Sequence, residues 1–231
     1  LYPGKYIDVN LKVGNTDING TIKPIVHIKN YGTEKINNIY ADVFINGPRG
    51  EEVKLVTNSI SLDSREEGDI YASAQVQELD LKRGIYNARA IVHYDGQEKN
   101  TSKVEFKIGE LLVVITPLSN NVTSGIVDKY LFNVKNEWSK NIVLKGRIIL
   151  DDKEFPIPEF TVPAFGSKKV IAYIDATNIL PGEYDGKIIL VHESEDQRKE
   201  FRKDITLSVL EPIEEQPKKI EISQNTLLFI V

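Results

Sequence analysis

Three histidines are suited by type to bind a metal ion or to carry a proton: His27, His93 and His192. His93 and His192 stand near the ends of two similar alternating apolar stretches, and none of the three has a second histidine at metal-ligand spacing. The chain contains no cysteine, which excludes disulfides, thiolate metal sites and thiol catalysis. The sequence therefore predicts no metal centre and no cofactor, and the histidines are interpreted as surface residues of strands.

Two acidic stretches, residues 63–69 and 193–196, bring several carboxylates into predicted turns. Calcium takes oxygen ligands at that density, so cation binding is one interpretation. Solvated turns, neutralised by Arg65 and the nearby Arg198, are the other, because neither stretch fits the EF-hand calcium loop.

Paired carboxylates can also hydrolyse glycosides, which requires two acids that flank one cleft. Here the acids fall on turns of predicted small sandwiches, which offer no obvious cleft. No Gly-x-Ser-x-Gly elbow and no Gly-rich phosphate loop occurs in the sequence. The sequence therefore predicts a protein that is not an enzyme.

Two related hexapeptides organise the strands that carry these residues: Leu-Lys-Arg-Gly-Ile-Tyr at 81–86 and Ile-Leu-Pro-Gly-Glu-Tyr at 179–184. Each runs directly into an alternating apolar stretch. A turn that ends in Gly, one residue, and then Tyr at a strand start is typical of a tyrosine corner, in which the hydroxyl bonds backbone a few residues upstream. Tyr86 and Tyr184 therefore predict an all-β chain of two tandem seven-stranded immunoglobulin-like β-sandwiches.

Length and an internal repeat divide the chain. Its 231 residues can form two sandwiches of about 100 residues each. Residues 4–30 align without gaps on 110–136, and both segments end in Lys-Asn. We expect one sandwich at 1–109, a second at 110–210 and a separate segment at 211–231. Because no linker separates the sandwiches, we expect them to stack end to end with restricted bending.

The C-terminal segment differs in composition. Residues 211–219 are charged and contain prolines, as in a stalk, and residues 220–231 end in five consecutive apolar residues. The segment is interpreted as a stalk with the start of a membrane anchor helix. The alternatives are a strand that packs on its own sandwich, and a strand donated to a neighbour, which would produce self-association.

Three aromatic side chains are predicted on outward strand positions: Tyr40, Phe44 and Tyr71. We expect them to form one exposed face that stacks on a glycan or contacts a partner protein. Lysine stems or a neighbouring loop could cover them instead.

Charge and sequons bear on the partners. The net charge is −5 with both signs mixed, which argues against nucleic acid. Glycosylation sequons begin at Asn19, Asn100 and Asn121, each at a predicted turn or strand edge.

These features resemble the CARDB-like and related immunoglobulin-like modules that occur in tandem in archaeal and bacterial cell-envelope proteins, including S-layer-associated ones. The first half carries Lys29-Asn30-Tyr31-Gly32, a Ser61-Leu62 link and the corner. The second half departs from this pattern, with Glu137-Trp138 in place of the Tyr-Gly turn and Val162-Pro163 in place of the Ser-Leu link.

The resemblance implies a non-catalytic structural or adhesion module of a membrane-anchored protein at the cell surface, acting as a spacer or an interaction scaffold. Its implied partners are other envelope proteins or surface glycans. Two alternatives stay open: a glycan- or peptide-binding module, and a strand-donating filament subunit.

Overall fold

The computed structural model describes residues 4–194 and 198–212. Every regular element in these ranges is a β-strand, which confirms the predicted all-β class. None of the described residues forms a helix long and apolar enough to cross a bilayer. The predicted stalk and anchor, apart from residues 211 and 212, lie outside the described residues.

The first module consists of twelve strands, several of them very short. They are β1 (Ile7–Lys12), β2 (Thr16–Asp17), β3 (Thr21–Ile22), β4 (Ile25–Asn30), β5 (Ile36–Asn46), β6 (Glu52–Val56), β7 (Ile60–Leu62), β8 (Glu67–Tyr71), β9 (Ala74–Gln75), β10 (Gly84–Tyr94), β11 (Gln97–Asn100) and β12 (Val104–Gly109).

These strands form two main sheets. The small sheet has the order β1-β4-β8, and the large sheet has the order β2-β12-β10-β5-β6, with β11 on β10 and β7 on β5. β3 and β9 form a separate pair. The tight turn between β10 and β11 places Asp95 and Gly96 at φ of 45° and 76°, the left-handed values that a two-residue hairpin requires.

The second module has eight strands and the same plan. They are β13 (Val113–Pro117), β14 (Asn121–Thr123), β15 (Val127–Asn136), β16 (Ile142–Leu150), β17 (Lys153–Val162), β18 (Ser167–Asp175), β19 (Gly182–Glu193) and β20 (Arg198–Leu210). The small sheet is β13-β15-β18 and the large sheet is β14-β20-β19-β16-β17.

Both modules divide their first strand between the two sheets. β1 and β13 pair antiparallel in the small sheets, whereas β2 and β14 pair parallel with the last strands of the large sheets. When the divided strand is counted once, the second module has the seven strands of an immunoglobulin-like sandwich. The predicted pair of sandwiches is confirmed.

Each module has its own apolar core. The first core includes residues from Ile7 to Ile108, and the second includes residues from Val113 to Val209, with no residue shared between them. Alternation explains this burial, because every second side chain of a strand faces the opposite sheet. On β10, for example, the buried residues are Tyr86, Ala88, Ala90, Val92 and Tyr94.

Candidate functional site

The outer face of the first module's large sheet carries two of the predicted aromatic residues. Tyr40 and Phe44 lie on β5, where Tyr40 pairs with His93 and Phe44 with Arg89 on β10. On the other side of Phe44 lies Lys54 of β6. Since β5 separates β10 from β6, the aromatic and charged side chains form rows across three strands. We call this surface the Tyr40–Phe44 face.

Phe44 is covered by cations. The Arg89 Cζ lies 4.6 Å and the Lys54 Nζ 5.8 Å from the centre of the Phe44 ring, and the ring is half-buried. Such cation–π contacts each contribute about 0.5–1 kcal/mol at exposed sites. A sugar ring would have to displace these side chains before it could stack on Phe44. The predicted covering of the aromatics by lysine stems therefore applies here.

Tyr40 is part of a polar cluster. Its ring stacks on His93 with 4.9 Å between the ring centres, and His93 lies between two carboxylates. His93 Nε2 is 3.2 Å from Asp42 Oδ2, and His93 Nδ1 is 3.2 Å from Glu98 Oε1. The Nζ of Lys54 is 2.9 Å from the same Asp42 oxygen. Asp42 thus links the histidine that stacks on Tyr40 to a lysine.

The charge state of Asp42 makes this cluster sensitive to acid. Burial raises the pKa of Asp42, but hydrogen bonds from Lys54 and His93 outweigh it and hold the pKa below its ordinary value of 3.8. A carboxylate whose pKa is lowered by folding stabilises the native state above the unfolded pKa. That stabilisation is lost as the pH falls through the folded pKa.

We expect Asp42→Asn to lower the free energy of unfolding by about 1 kcal/mol at neutral pH. The difference from the unchanged protein should shrink as the pH falls below 3.8, measured by urea unfolding followed by circular dichroism. Asp8→Asn is the control, because the Asp8 carboxylate is mostly exposed and lies 4.0 Å from Lys99. An Asp42→Asn difference that stayed constant with pH would contradict the assignment.

Tyr71 does not join the Tyr40–Phe44 face. It lies on β8 in the small sheet, whereas Tyr40 and Phe44 lie in the large sheet. The outer faces of the two sheets of a sandwich point in opposite directions, so the expected single aromatic face is wrong. Tyr71 is 48% exposed, and Lys23 Nζ lies 4.8 Å from the centre of its ring.

Tyr86 and Tyr184 occupy equivalent positions at the ends of the large sheets. The Tyr86 hydroxyl donates to the Lys82 carbonyl at 2.7 Å and accepts from the Lys82 amide at 3.1 Å. The Tyr184 hydroxyl donates to the Leu180 carbonyl at 2.9 Å. Burial raises the pKa of Tyr86 above its ordinary value of 10.0, so this hydroxyl keeps its proton to higher pH than an exposed tyrosine does. Both hydroxyls serve the backbone of the preceding turn and so have structural roles.

Two buried asparagines form a hub that the sequence reasoning missed. Asn30 and Asn136 end equivalent strands and are fully buried. The Asn30 amide group donates to the carbonyls of Glu34 at 2.8 Å and Asp63 at 3.0 Å, and its oxygen accepts from the Gly32 amide at 2.9 Å. One side chain therefore joins two loops at the end of the first sandwich.

Asn136 repeats this hub in the second module. Its amide group donates to the carbonyls of Lys140 at 2.8 Å and Pro163 at 3.0 Å, and its oxygen accepts from the Trp138 amide at 2.9 Å. The repeated Lys-Asn at a strand end was the visible signal. Read only as the end of a strand, it did not indicate an amide in the core.

The hubs also correct the correspondence between the two modules. Asn30 and Asn136 make their longest bonds, both 3.4 Å, to the carbonyls of Leu62 and Val162. Val162 is therefore the counterpart of Leu62. The sequence comparison instead set Val162-Pro163 against Ser61-Leu62, which places Val162 opposite Ser61, one residue earlier. This match follows from burial, since Leu62 and Val162 both lie in the core.

The histidines do not come together. His27 Nδ1 lies 2.8 Å from Asp69 Oδ1 in an exposed hydrogen-bonding contact. His192 was expected at the surface, and that expectation is wrong: the side chain is buried, with Nδ1 2.9 Å from the Val143 carbonyl oxygen. In the part of the chain that the structure describes, no group of three or more His, Asp and Glu side chains could hold a metal ion.

The first acidic stretch spreads its carboxylates among separate cations. Asp63 pairs with Lys35 at 3.0 Å, and Glu67 pairs with Lys29 at 3.2 Å. The carboxylates therefore do not point at a common centre. In the second stretch Glu193 pairs with Lys145 at 3.0 Å, while residues 195–197 lie outside the described residues.

All three sequon asparagines are exposed. Asn19 lies in a turn and accepts a hydrogen bond from Gln77 Nε2 at 2.7 Å, Asn100 ends β11 and Asn121 begins β14. Each amide is therefore at the surface, as attachment of a glycan requires.

No family model matches the chain, and no curated protein matches it. Among solved structures, it is similar to red sea bream transglutaminase (10% identity, TM-score 0.38), covering 91% of this chain and 32% of that one. It is also similar to the CARDB domain of a Pyrococcus furiosus protein in complex with di-metal ions (19% identity, TM-score 0.35), covering 45% of this chain and 88% of that one. At these similarities the likeness carries no argument about ligands or activity.

Proposed function

We propose that this chain is a non-catalytic structural part of a cell-surface protein, in which two immunoglobulin-like modules act as a stiff spacer. Location outside the cell and attachment through residues 211–231 belong to the same proposal. The observation that supports it best is the direct bonding between the modules across a junction without a linker.

Backbone hydrogen bonds surround the junction on both sides. The Ile18 amide donates to the Gly109 carbonyl at 2.9 Å, and the next amide, that of Glu110, donates to the Glu137 carbonyl at 3.0 Å. Gly109 is thus bonded within the first module, and the next residue, Glu110, is bonded within the second. A further bond crosses directly, since the Ser139 amide donates to Asp17 Oδ1 at 3.1 Å.

Close packing also restricts the junction. A Cβ atom at Gly109 would lie 2.8 Å from the Glu137 carbonyl oxygen and 2.9 Å from the Phe165 ring, so glycine is needed for this approach. Lys107 of the first module lies over the same Phe165 ring at 5.6 Å. Bonds and packing on several sides of one short connection oppose bending and twisting.

A stiff junction predicts a narrow distance distribution between labels on the two modules. Because the chain has no cysteine, Lys103→Cys and Glu159→Cys together allow specific spin labelling at two exposed positions. Labelled chain is diluted into unlabelled chain, so that double electron–electron resonance records only distances within one molecule. We expect one narrow distribution, which Asp17→Ala should broaden.

Insertion of Gly-Ser-Gly-Ser after Gly109 is the matched control, since it should give a broad distribution. If the distance distribution of the original protein is as broad as that of the insertion variant, the spacer proposal fails.

A further inference from the structure

Among residues 4–194 and 198–212, the small sheet of the second module ends in an open edge at β18. This strand is nine residues long, and within those ranges it pairs only with β15. The register with β15 is unbroken from Val127 opposite Asp175 to Lys135 opposite Ser167. Its residues 170–174 are uncharged and rich in β-forming types.

The hydrogen bonds of Leu131 on β15 show which β18 groups face outward. The Leu131 amide donates to Ser119 Oγ at 2.9 Å, and its carbonyl accepts from the amide of Leu118 at 2.8 Å, on the β13 side. Leu131 is opposite Ile171, so Ile171 cannot exchange backbone bonds with it. In an antiparallel pair, residues that exchange backbone hydrogen bonds with the residue opposite alternate with residues that do not. The odd-numbered residues of β18, like Ile171, therefore direct their amides and carbonyls to the open edge.

The corresponding edge of the first module is short and covered. β8 has five residues, and the Tyr71 amide donates to Asn58 Oδ1 at 2.7 Å while the Tyr71 carbonyl accepts from the Asn58 amide at 3.1 Å. The edge strand of the second module's large sheet, β17, contains Pro156 and Pro158, which cannot donate. Natural sheets commonly protect edges in these ways, and β18 has neither protection.

Apolar side chains accompany the open edge. Ile171 and Tyr173 are 45% and 54% exposed on the outer face of β18, and Leu118 and Val127 nearby are 53% and 56% exposed. Large apolar side chains grouped in this way on a surface are typical of contact sites. On the first module's small sheet, two of the rows between β4 and β8 instead hold the ion pair Lys29–Glu67 and the polar pair His27–Asp69.

We propose that β18 pairs antiparallel with β18 of a second copy of this chain, about a two-fold axis at Ala172. In this register Ile171 lies opposite the partner's Tyr173, and Lys169 lies opposite the partner's Asp175. Every outward backbone group from Lys169 to Asp175 then has a partner, and the two small sheets become one continuous sheet.

Charge selects this register. Lys169 and Asp175 lie equally far from Ala172, so the two-fold axis brings opposite charges together twice. A shift that centres the pairing on Ile171 places Lys169 opposite Tyr173, and a shift to Tyr173 places Ile171 opposite Asp175. Both shifts lose the charge pairs, and each keeps one apolar pair, a residue opposite its own copy, in place of two.

Charge reversal in the full-length chain tests the register. We expect sedimentation equilibrium to show a monomer–dimer equilibrium that Lys169→Asp or Asp175→Lys alone weakens about tenfold or more, because like charges then face each other. The double variant Lys169→Asp/Asp175→Lys should restore the dissociation constant to within about threefold. Lys12→Asp, which makes the same change of charge on an exposed position of β1, should leave it unchanged.

A cysteine mixture tests the same geometry in case a charge variant is destabilised. Lys169→Cys and Asp175→Cys chains should form a disulfide-linked dimer when mixed and oxidised, because residues facing each other in an antiparallel pair are close enough for a disulfide. Neither variant alone should crosslink, because in this register the two copies of the same cysteine are six residues apart along the paired strands. The proposal is overturned if the protein stays monomeric up to about 1 mM. It is also overturned if the single charge reversals leave the dissociation constant of the dimer unchanged, if the double variant does not restore that constant, or if the cysteine mixture does not crosslink.

Discussion

Replacement of Asn136 by alanine is expected to lower the free energy of unfolding of the second module by about 3 kcal/mol or more. The side chain is fully buried and joins the loop that follows β15 to the one that follows β17. Its removal leaves the Trp138 amide and the carbonyls of Lys140 and Pro163 without this partner. Unpaired buried polar groups cost about 1–3 kcal/mol each, and the truncated side chain also leaves a cavity.

The single tryptophan makes this loss measurable in one module. Trp138 lies two residues from Asn136, and its ring packs edge-on to His192 at 5.9 Å, so its fluorescence follows the second module. Asn136→Ala should move the fluorescence transition in urea to lower concentration. Asn133→Ala, on the partly exposed outer face of the same strand, should move it little.

The equivalent change in the first module tests whether the cores are independent. Asn30→Ala should lower the urea midpoint seen by circular dichroism and leave the Trp138 transition nearly unchanged, because the two cores share no residue. Equal shifts of the Trp138 transition by Asn30→Ala and Asn136→Ala would contradict independent unfolding.

Gly146→Ala is expected to have an effect of similar size through backbone contact. A Cβ atom at Gly146 would lie 2.0 Å from the Ile189 carbonyl oxygen on the neighbouring strand. That atom belongs to the backbone of β19, which cannot move without breaking its pairing on both sides. The position also coincides with a shift in the register between β16 and β17. We expect a loss of about 3 kcal/mol in urea unfolding followed by Trp138 fluorescence.

Gly14→Ala is the matched control for this substitution. A Cβ atom there would meet nothing within 4 Å. The stability should change by no more than about 0.5 kcal/mol, as for an ordinary surface position. Equal losses at Gly146 and Gly14 would show that close approach to Ile189 does not limit the choice of residue.

Local signals predicted the strands well. The alternating apolar stretch after Leu81–Tyr86 is β10, with Tyr86 and Val92 inward, and Asp95-Gly96 has the residue types that favour the tight turn after it. Pro156 and Pro158 cannot donate backbone hydrogen bonds, which disfavours a central strand, and β17 is an edge strand. Each of these signals depends on the preferences of a few adjacent residues, which the chain carries wherever it folds.

Errors arose where distant residues had to be combined. Tyr71 has the outward position expected from alternation, yet it belongs to a different sheet from Tyr40 and Phe44. His192 was compared with His93, but the offset between Tyr86 and Tyr184 aligns His192 with Tyr94, which explains its burial. In both cases the periodicity within a strand was correct and the assignment across strands was not.

The sequence by itself determined the strands, the turns between them and the duplication, because side-chain alternation and turn geometry are properties of neighbouring residues. Only the tertiary structure decided which strand lies beside which, and therefore that Asn30 and Asn136 serve loops brought from far along the chain. It also decided that β8 is covered at its edge, while no other described strand lies beside the free edge of β18. Those outcomes depend on pairing between residues widely separated in sequence, and no local pattern encodes which partner a strand edge will meet.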